Sequence, residues 1–251
     1  MGNRREALTR AVLAGLLAAP LPAGAVVGAS GPGDRFADHV VMVLARGGEH
    51  EGFCSGVVLA PRIVLTAAHC LGPARDMAVH YRDAAGKPVL IAVAAAAIHP
   101  LYRANAIVTR EVSIDLALVE TEAPIDARFT PARLAEGDGP PVGAEAILAG
   151  YGVAREGDAA TGGTLRSAHL KVRAPLSSIL LWTEDTDNAG AGACGGDSGG
   201  PLFLADGETV AALVAWTSGA ERGKRCGLLT QGPLLAPQRD WIDKTMARWG
   251  R

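Results

Sequence analysis

The chain has 251 residues, of which 49% are hydrophobic and 20% are charged, and its formal net charge is −2. This length accommodates one large β unit or two small domains with a real core. Acidic and basic residues are spread along the chain, with no basic stripe that could neutralise phosphates. Nucleic acid is therefore not an expected partner.

The first 25 residues differ in character from the rest. A basic start, MGNRREALTR, precedes the apolar run AVLAGLLAAPLPA and the small-x-small site Ala23-Gly24-Ala25. Together these features predict a cleaved signal peptide over residues 1–25. The uncharged stretch 11–29 is also compatible with a membrane anchor, and Arg4-Arg5 with a twin-arginine signal. Because prolines interrupt that stretch, we expect cleavage, no stable membrane association and a secreted or periplasmic protein.

From Val40 onward, short apolar runs alternate with turn-forming residues. The runs are VVMVLA, GVVLA, IVLTAA, PVLIAVAAAAI, IDLALVE, AEAILAGYGV, LRSAHLKV, SSILLW, GPLFLA and TVAALVAW. Runs of this length between Gly, Pro and Asp predict the strands of a β-sandwich or barrel. The alanine-rich part, residues 93–98, is also compatible with the start of a helix.

The end of the chain has a helical pattern instead. Trp241, Thr245 and Trp249 recur every four residues after Pro237, which predicts an amphipathic helix. In mid-chain, residues 132–143 are the richest in turn formers and are the predicted domain boundary.

The four cysteines occur without a CxxC pair, which disfavours a zinc site. Two structural disulfides in an oxidising compartment fit an exported protein better.

The segment ACGGDSGGP places Ser198 among glycines. A serine hydroxyl becomes a strong nucleophile when a base takes its proton and a third group orients the base. His69 follows the apolar run IVLTAA and precedes a cysteine, whereas His39, His50, His80 and His169 have the surroundings of surface residues and His99 those of a strand end. Asp115 interrupts an apolar run, where a carboxylate needs a partner or caps a strand end.

The sequence GDSGG also fits the G-x-S-x-G pattern of α/β-hydrolases. In those enzymes the histidine follows the serine, but no histidine follows Ser198 here. That class is excluded.

The segments TAAHC, IDLALVE and CGGDSGGP, in this order, resemble the signatures of the chymotrypsin/trypsin family of serine proteases. GFCSGVVLAPRIVLTAAHC, His99-Pro100-Leu101-Tyr102, Gly150-Tyr151-Gly152 and the terminal DWI agree, so the resemblance covers residues 26–251. It implies an all-β fold of two six-stranded antiparallel β-barrels with a C-terminal α-helix. Residues 26–137 would form the first barrel and 138–251 the second, and we expect a secreted member of bacterial type.

The resemblance also assigns roles. His69 would be the general base, Asp115 would orient it, Ser198 would attack the peptide carbonyl, and the amides of Gly196 and Ser198 would form the oxyanion hole. Cys54 would pair with Cys70, and Cys194 with Cys226. Asp197 would form an ion pair with a new N-terminus at Val26, created here by signal peptidase itself.

The expected substrate pocket consists of Gly192, Ala215, Trp216, Thr217 and Gly227. Gly192 replaces the aspartate of trypsin-like members, and Thr217 replaces a glycine, so the pocket would favour small apolar residues before the scissile bond. Lys224 or Arg225 could instead reach in and favour an acidic residue. Ala215 replaces a serine that supports the triad aspartate, which predicts a slower enzyme.

The sequence therefore predicts a monomeric serine endopeptidase that acts on protein or peptide substrates and is a target for protein inhibitors, without metal or cofactor. The alternatives are a regulatory protease with a single target and a non-catalytic binding protein of the same fold.

Overall fold

The computed structural model describes residues 26–28, 30–46, 52–187 and 190–250. The predicted signal peptide and His50 lie outside the described residues. The described chain is built from β-strands and short 3-10 turns, with two α-helices. The strands are β1 (Gly31–Pro32), β2 (Val40–Ala45), β3 (Gly52–Ala60), β4 (Ile63–Thr66), β5 (Met77–Arg82), β6 (Pro88–Ile98), β7 (Ala117–Thr121), β8 (Arg133–Leu134), β9 (Glu145–Gly150), β10 (Arg166–Val172), β11 (Leu180–Glu184), β12 (Pro201–Leu204), β13 (Thr209–Leu213), β14 (Trp216–Ser218) and β15 (Leu229–Pro233). The helices are α1 (Ala106–Thr109) and α2 (Arg239–Arg248).

Six strands of the first half form a closed antiparallel barrel in the order β2-β3-β4-β7-β6-β5. The alanine-rich end of β6 is a strand because its backbone pairs with β7, for example Ala97 with Leu118. Pairing to neighbouring strands thus decides between the strand and the helix that this run alone allows. The first barrel confirms the all-β prediction for this half.

The second half forms a sheet in the order β14-β15-β11-β10-β9-β12-β13-β8, to which β1 adds by pairing with β10. An isolated bridge joins Ala212 of β13 to Leu234, just beyond β15, and the Leu235 amide donates to the Ala211 carbonyl at 2.9 Å. This short contact brings the chain just beyond β15 back to β13, but in the described residues no strand pairing closes this sheet, so the expected second closed barrel is not shown. β1 and β8, from the first half of the chain, extend this sheet.

One of the buried hydrophobic clusters spans both halves. Phe36, before the first barrel, stacks on Phe203 of β12 with ring centroids 4.7 Å apart. Leu65 and Leu118 of the barrel belong to the same buried cluster as Phe203 and Ile147. Continuous packing of this kind fixes the two halves relative to each other, which matters because the predicted site draws residues from both.

The predicted C-terminal helix is present as α2 and buries Ile242 and Thr245. Trp241 contacts His99 edge-on at a centroid distance of 4.8 Å. His99, just beyond β6, is buried, and burial lowers the pKa of its imidazole. It packs here against the helix, as expected for a residue at a strand end. No helix in the described part of the chain is long and apolar enough to cross a membrane.

Candidate active site

Strand pairing brings His69 and Asp115 together. Thr66, at the end of β4, pairs with Ala117, at the start of β7. The residues just after β4 therefore face those just before β7, and His69 lies in a 3-10 turn there. Its Nδ1 lies 2.6 Å from Asp115 Oδ2, and its backbone amide donates to Asp115 Oδ1 at 2.9 Å.

This two-point contact orients the imidazole. A carboxylate only accepts hydrogen bonds, so Nδ1 carries the proton and Nε2 remains as the acceptor nitrogen. His69 lines a groove, so a proton acceptor stands at the wall of an open cleft. Asp115 is a partner of His69, in agreement with its position in an apolar run.

Both predicted disulfides are present, Cys54–Cys70 and Cys194–Cys226. Cys54, His69 and Cys70 have ligand atoms within 4.8 Å of one another. Because the two sulfur atoms are bonded to each other, they offer no thiolate to a metal ion.

The loop that carries Ser198 docks on the first barrel. The Ser55 amide donates to the Ser198 carbonyl at 2.8 Å, and Cys70 Sγ lies 3.8 Å from the same oxygen. Gly199 has φ of 77°, and a Cβ there would lie 2.2 Å from Thr66 Oγ1. Only glycine allows this close approach, which places Ser198 beside the disulfide that follows His69.

The predicted oxyanion-hole residue Gly196 has φ of 96°, and a Cβ on it would lie 2.3 Å from Phe53 Cε2. Within the described chain, the amides of Gly196 and Ser198 donate no hydrogen bond to protein. Backbone donors that make no other hydrogen bond are what an oxyanion hole requires.

Ser55 is a buried residue of this site that the sequence reading missed. Its Oγ donates to the Gly196 carbonyl at 2.9 Å and accepts from the Tyr151 amide at 2.9 Å. It thereby ties the loop of Ser198 to the turn after β9. A polar residue inside the otherwise apolar strand β3 was the available signal.

Asp197 is fully buried, next to Ser198 in the chain. Its oxygens accept hydrogen bonds from the Gly152 amide at 2.8 Å and the Cys194 amide at 2.9 Å. Burial raises the pKa of Asp197 to about 7, against the lowering effect of the two amides and of the Arg166 charge. The carboxylate thus links the turn after β9, through Gly152, to the start of the Ser198 loop, through Cys194.

The raised pKa predicts a specific pH dependence of stability. Because Asp197 binds its proton more tightly in the folded than in the unfolded chain, its contribution is largest below pH 4 and is lost as the pH rises to about 7. In the uncut chain, where Val26 has no free ammonium, the unfolding free energy of the parent minus that of Asp197→Asn should fall by at most about 1.4 kcal/mol per pH unit in that window. Urea unfolding of both chains at several pH values measures this difference. A difference that is constant or rises with pH contradicts the prediction.

The segment before the first barrel lies against the predicted pocket. The Val27 carbonyl accepts from the Gly192 amide at 3.2 Å, and Val26 is fully buried. The Val26 nitrogen is a peptide nitrogen here, because Ala25 precedes it in the chain. Val26 has φ of 60°, a conformation that a β-branched side chain strongly disfavours.

The predicted pocket residues come from several strands and loops. Thr217 Oγ1, on β14, donates to the Ala193 carbonyl at 2.9 Å. Gly192 packs against Gly227, because a Cβ on Gly192 would lie 3.2 Å from the Gly227 Cα. Lys224 and Arg225 are exposed. Of the predicted pocket residues, the groove beside His69 contains Ala215 and Trp216 but not Gly192, Thr217 or Gly227.

Ala215 and Trp216 lie on the groove, which has a volume of about 780 Å³ and also exposes Trp182 and Tyr102. Burial, together with the Asp115 charge, raises the pKa of Tyr102. A cleft of this volume, lined by aromatic, apolar and some charged side chains beside a His–Asp pair, can hold a segment of peptide.

Comparison with known proteins agrees with this fold. The family model described as Trypsin matches residues 26–242. Trypsin eta of Drosophila melanogaster is 26% identical in an alignment 245 residues long that covers 88% of this chain and 88% of that protein. Glucanase inhibitor protein 1 of Phytophthora sojae is 29% identical in an alignment 199 residues long that covers 71% of each chain. The structure of neuropsin, a serine protease of mouse brain, has 24% identity and a TM-score of 0.65, covering 82% of this chain and 93% of that one.

The match to the trypsin-family model and the similarity to trypsin-type relatives support a serine-type endopeptidase. The chain belongs to the trypsin family. The relatives named above come from eukaryotes, so the expected bacterial type is not supported. The disulfides fit an extracellular protein.

Proposed function

We propose that this endopeptidase cleaves peptide bonds through His69, Asp115 and Ser198. The observation that carries the proposal is the two-point contact of Asp115 with His69, at 2.6 and 2.9 Å, on the wall of the groove. The docking of the Ser198 loop on the same barrel supports it.

In the proposed reaction, His69 Nε2 takes the proton of Ser198 Oγ as the oxygen attacks the carbonyl carbon. The amides of Gly196 and Ser198 donate to the oxyanion that forms. His69 then gives the proton to the leaving amine, and the C–N bond breaks to leave an acyl-enzyme. Water then gives a proton to the same imidazole as it attacks the ester carbon, and this proton passes to Ser198 Oγ as the ester C–O bond breaks and the carboxylic acid product leaves.

We propose that small apolar residues are preferred before the scissile bond. The hydrogen bond from Thr217 to Ala193 spans the space that a glycine would leave open. Gly192 brings no charge to the base of the pocket, and the exposed positions of Lys224 and Arg225 fit an uncharged pocket. A peptide ending in alanine that is cleaved more slowly than one ending in lysine would refute this preference.

Thr217 gives the sharpest test of the pocket. In Thr217→Gly, the ratio of kcat/KM for a phenylalanine-ended to an alanine-ended anilide should rise by about 10- to 100-fold, because the pocket widens. Thr217→Ser keeps the hydroxyl and should leave the ratio close to that of the wild type. A ratio unchanged by the glycine contradicts the pocket assignment.

We also propose that signal peptidase cuts after Ala25 and that the new Val26 ammonium pairs with Asp197. The buried position of Val26 and its positive φ support this, since a cut removes the preceding carbonyl and with it the strain. The protein would then be secreted or periplasmic and act as a monomer. The division into units 26–137 and 138–251 stays a prediction.

A non-catalytic binding function is the second candidate. It is favoured by the similarity to a protein named as a glucanase inhibitor. Turnover of unstructured casein distinguishes a general protease from a binding protein or a single-target protease.

A further inference from the structure

Arg166 occupies an inward-facing position on a strand. Along β10, the buried residues Ala168, Leu170 and Val172 alternate with exposed His169 and Lys171. Arg166 is two residues before Ala168, so its side chain leaves the sheet on the buried face. Its Nη1 is inaccessible to solvent. A guanidinium in such a position needs negative charge nearby.

The register of the sheet shows which charge lies on the same face. Arg166 lies directly opposite Gly150 of β9. Residues opposite each other in an antiparallel pair project to the same face, about 5 Å apart. A Cβ on Gly150 would lie 2.3 Å from Asp197 Oδ1, so the Arg166 side chain emerges on the face that holds the Asp197 carboxylate.

The charges of these two residues interact. The Arg166 charge lowers the pKa of Asp197, against burial. Burial lowers the pKa of Arg166, and the Asp197 carboxylate raises it in turn. Gly150 and Gly152 leave this space free, because a Cβ on Gly152 would also lie 2.3 Å from an Asp197 oxygen.

In the uncut chain, the position of the Val26 ammonium is taken by a neutral peptide nitrogen. The loop around Ser198 is nevertheless held in place, with Asp197 bonded to the Gly152 and Cys194 amides. Gly196 is next to Asp197, so the orientation of this carboxylate governs that of a predicted oxyanion donor.

We propose that Arg166 is a positioning residue that serves as an internal counter-ion of Asp197 and keeps the oxyanion loop ordered before the chain is cut. This inference rests on the proposed function, since it concerns the reactivity of Ser198. It means that activity does not depend on release of the Val26 terminus. The cut would add a second cation to a carboxylate that already has one.

The test compares the exported chain, cut before Val26, with the full chain carrying Ala25→Leu, which signal peptidase does not cut. Arg166→Met removes the charge at similar side-chain length, and Arg166→Lys keeps it. Lys171→Gln, on the exposed face of the same strand, is the matched control. The readout is the rate of Ser198 labelling by a fluorophosphonate at pH 8, with melting temperatures to show that each chain is folded.

We expect the uncut chain to react within about tenfold of the cut chain, and Arg166→Met to slow the uncut chain by about 100-fold, the effect of losing one oxyanion donor. Arg166→Lys should recover most of this loss and Lys171→Gln should cause none. In the cut chain, Arg166→Met should cost less than about tenfold, because the Val26 ammonium then pairs with Asp197.

An uncut Arg166→Met chain that reacts as fast as the uncut parent overturns the inference. The inference is also overturned if the cut chain reacts and the uncut parent does not, because Arg166 alone then does not keep the oxyanion loop ordered. If neither cut nor uncut parent reacts, the proposed function itself fails, which is a distinct result.

Discussion

Ser198→Ala and His69→Ala are each expected to lower kcat by about a million-fold, and the double variant by no more than either one. The two side chains act in one proton transfer, so removing either one abolishes the same step. Steady-state hydrolysis of an alanine-ended anilide by the three variants measures this non-additivity.

Two residues of the exposed face of β10 give matched controls. Ser167→Ala and His169→Ala remove a serine and a histidine side chain at positions outside the groove, and both variants should retain the wild-type kcat. Losses that multiply in the double variant, or a single variant within tenfold of the wild type, contradict the proposed roles.

Asp115→Asn should lower kcat by about 10⁴-fold with little change in KM. The carboxylate now accepts from both the amide and Nδ1 of His69. An asparagine offers one acceptor oxygen and one donor NH₂, so one of these bonds is lost or the imidazole takes the wrong tautomer.

Asp83→Asn is the control for this variant, since Asp83 accepts two backbone amides in an exposed turn. It should leave kcat unchanged. An Asp115→Asn enzyme that retains more than about a tenth of the activity would show that His69 does not depend on Asp115 for its orientation.

Much of the fold was predictable, because strand signals are local. The runs VVMVLA and PVLIAVAAAAI coincide with β2 and β6. The strand β5 was missed although Met77, Val79 and Tyr81 are buried and alternate with more exposed residues. Its alternation with period two was the signal, but Ala78 and His80 made the run look less apolar than its neighbours.

The candidate site was predictable only in part. His69, Asp115 and Ser198 each stand in a distinctive local sequence. Ser55 and Arg166 do not, because their roles depend on partners that the fold brings together. Ser55 lies 141 residues from Gly196, with which it shares a hydrogen bond. The inward orientation of Arg166 follows from its place on the same face of β10 as Ala168, and its position near Asp197 follows from its pairing with Gly150.

The second sheet shows the same limit. Its strands could be recognised as apolar runs, but β1 and β8 are two-residue pairings without any pattern of their own. Their addition to the sheet, and the single bridge of Ala212 to Leu234, follow from packing of the whole chain.

The most direct test of the central claim is the intact mass of the exported protein before and after reaction with a fluorophosphonate. We expect one adduct, located on Ser198, on a chain that begins at Val26, and loss of this adduct in His69→Ala. A folded chain beginning at Val26 that forms no adduct, or an adduct that persists without His69, would contradict it.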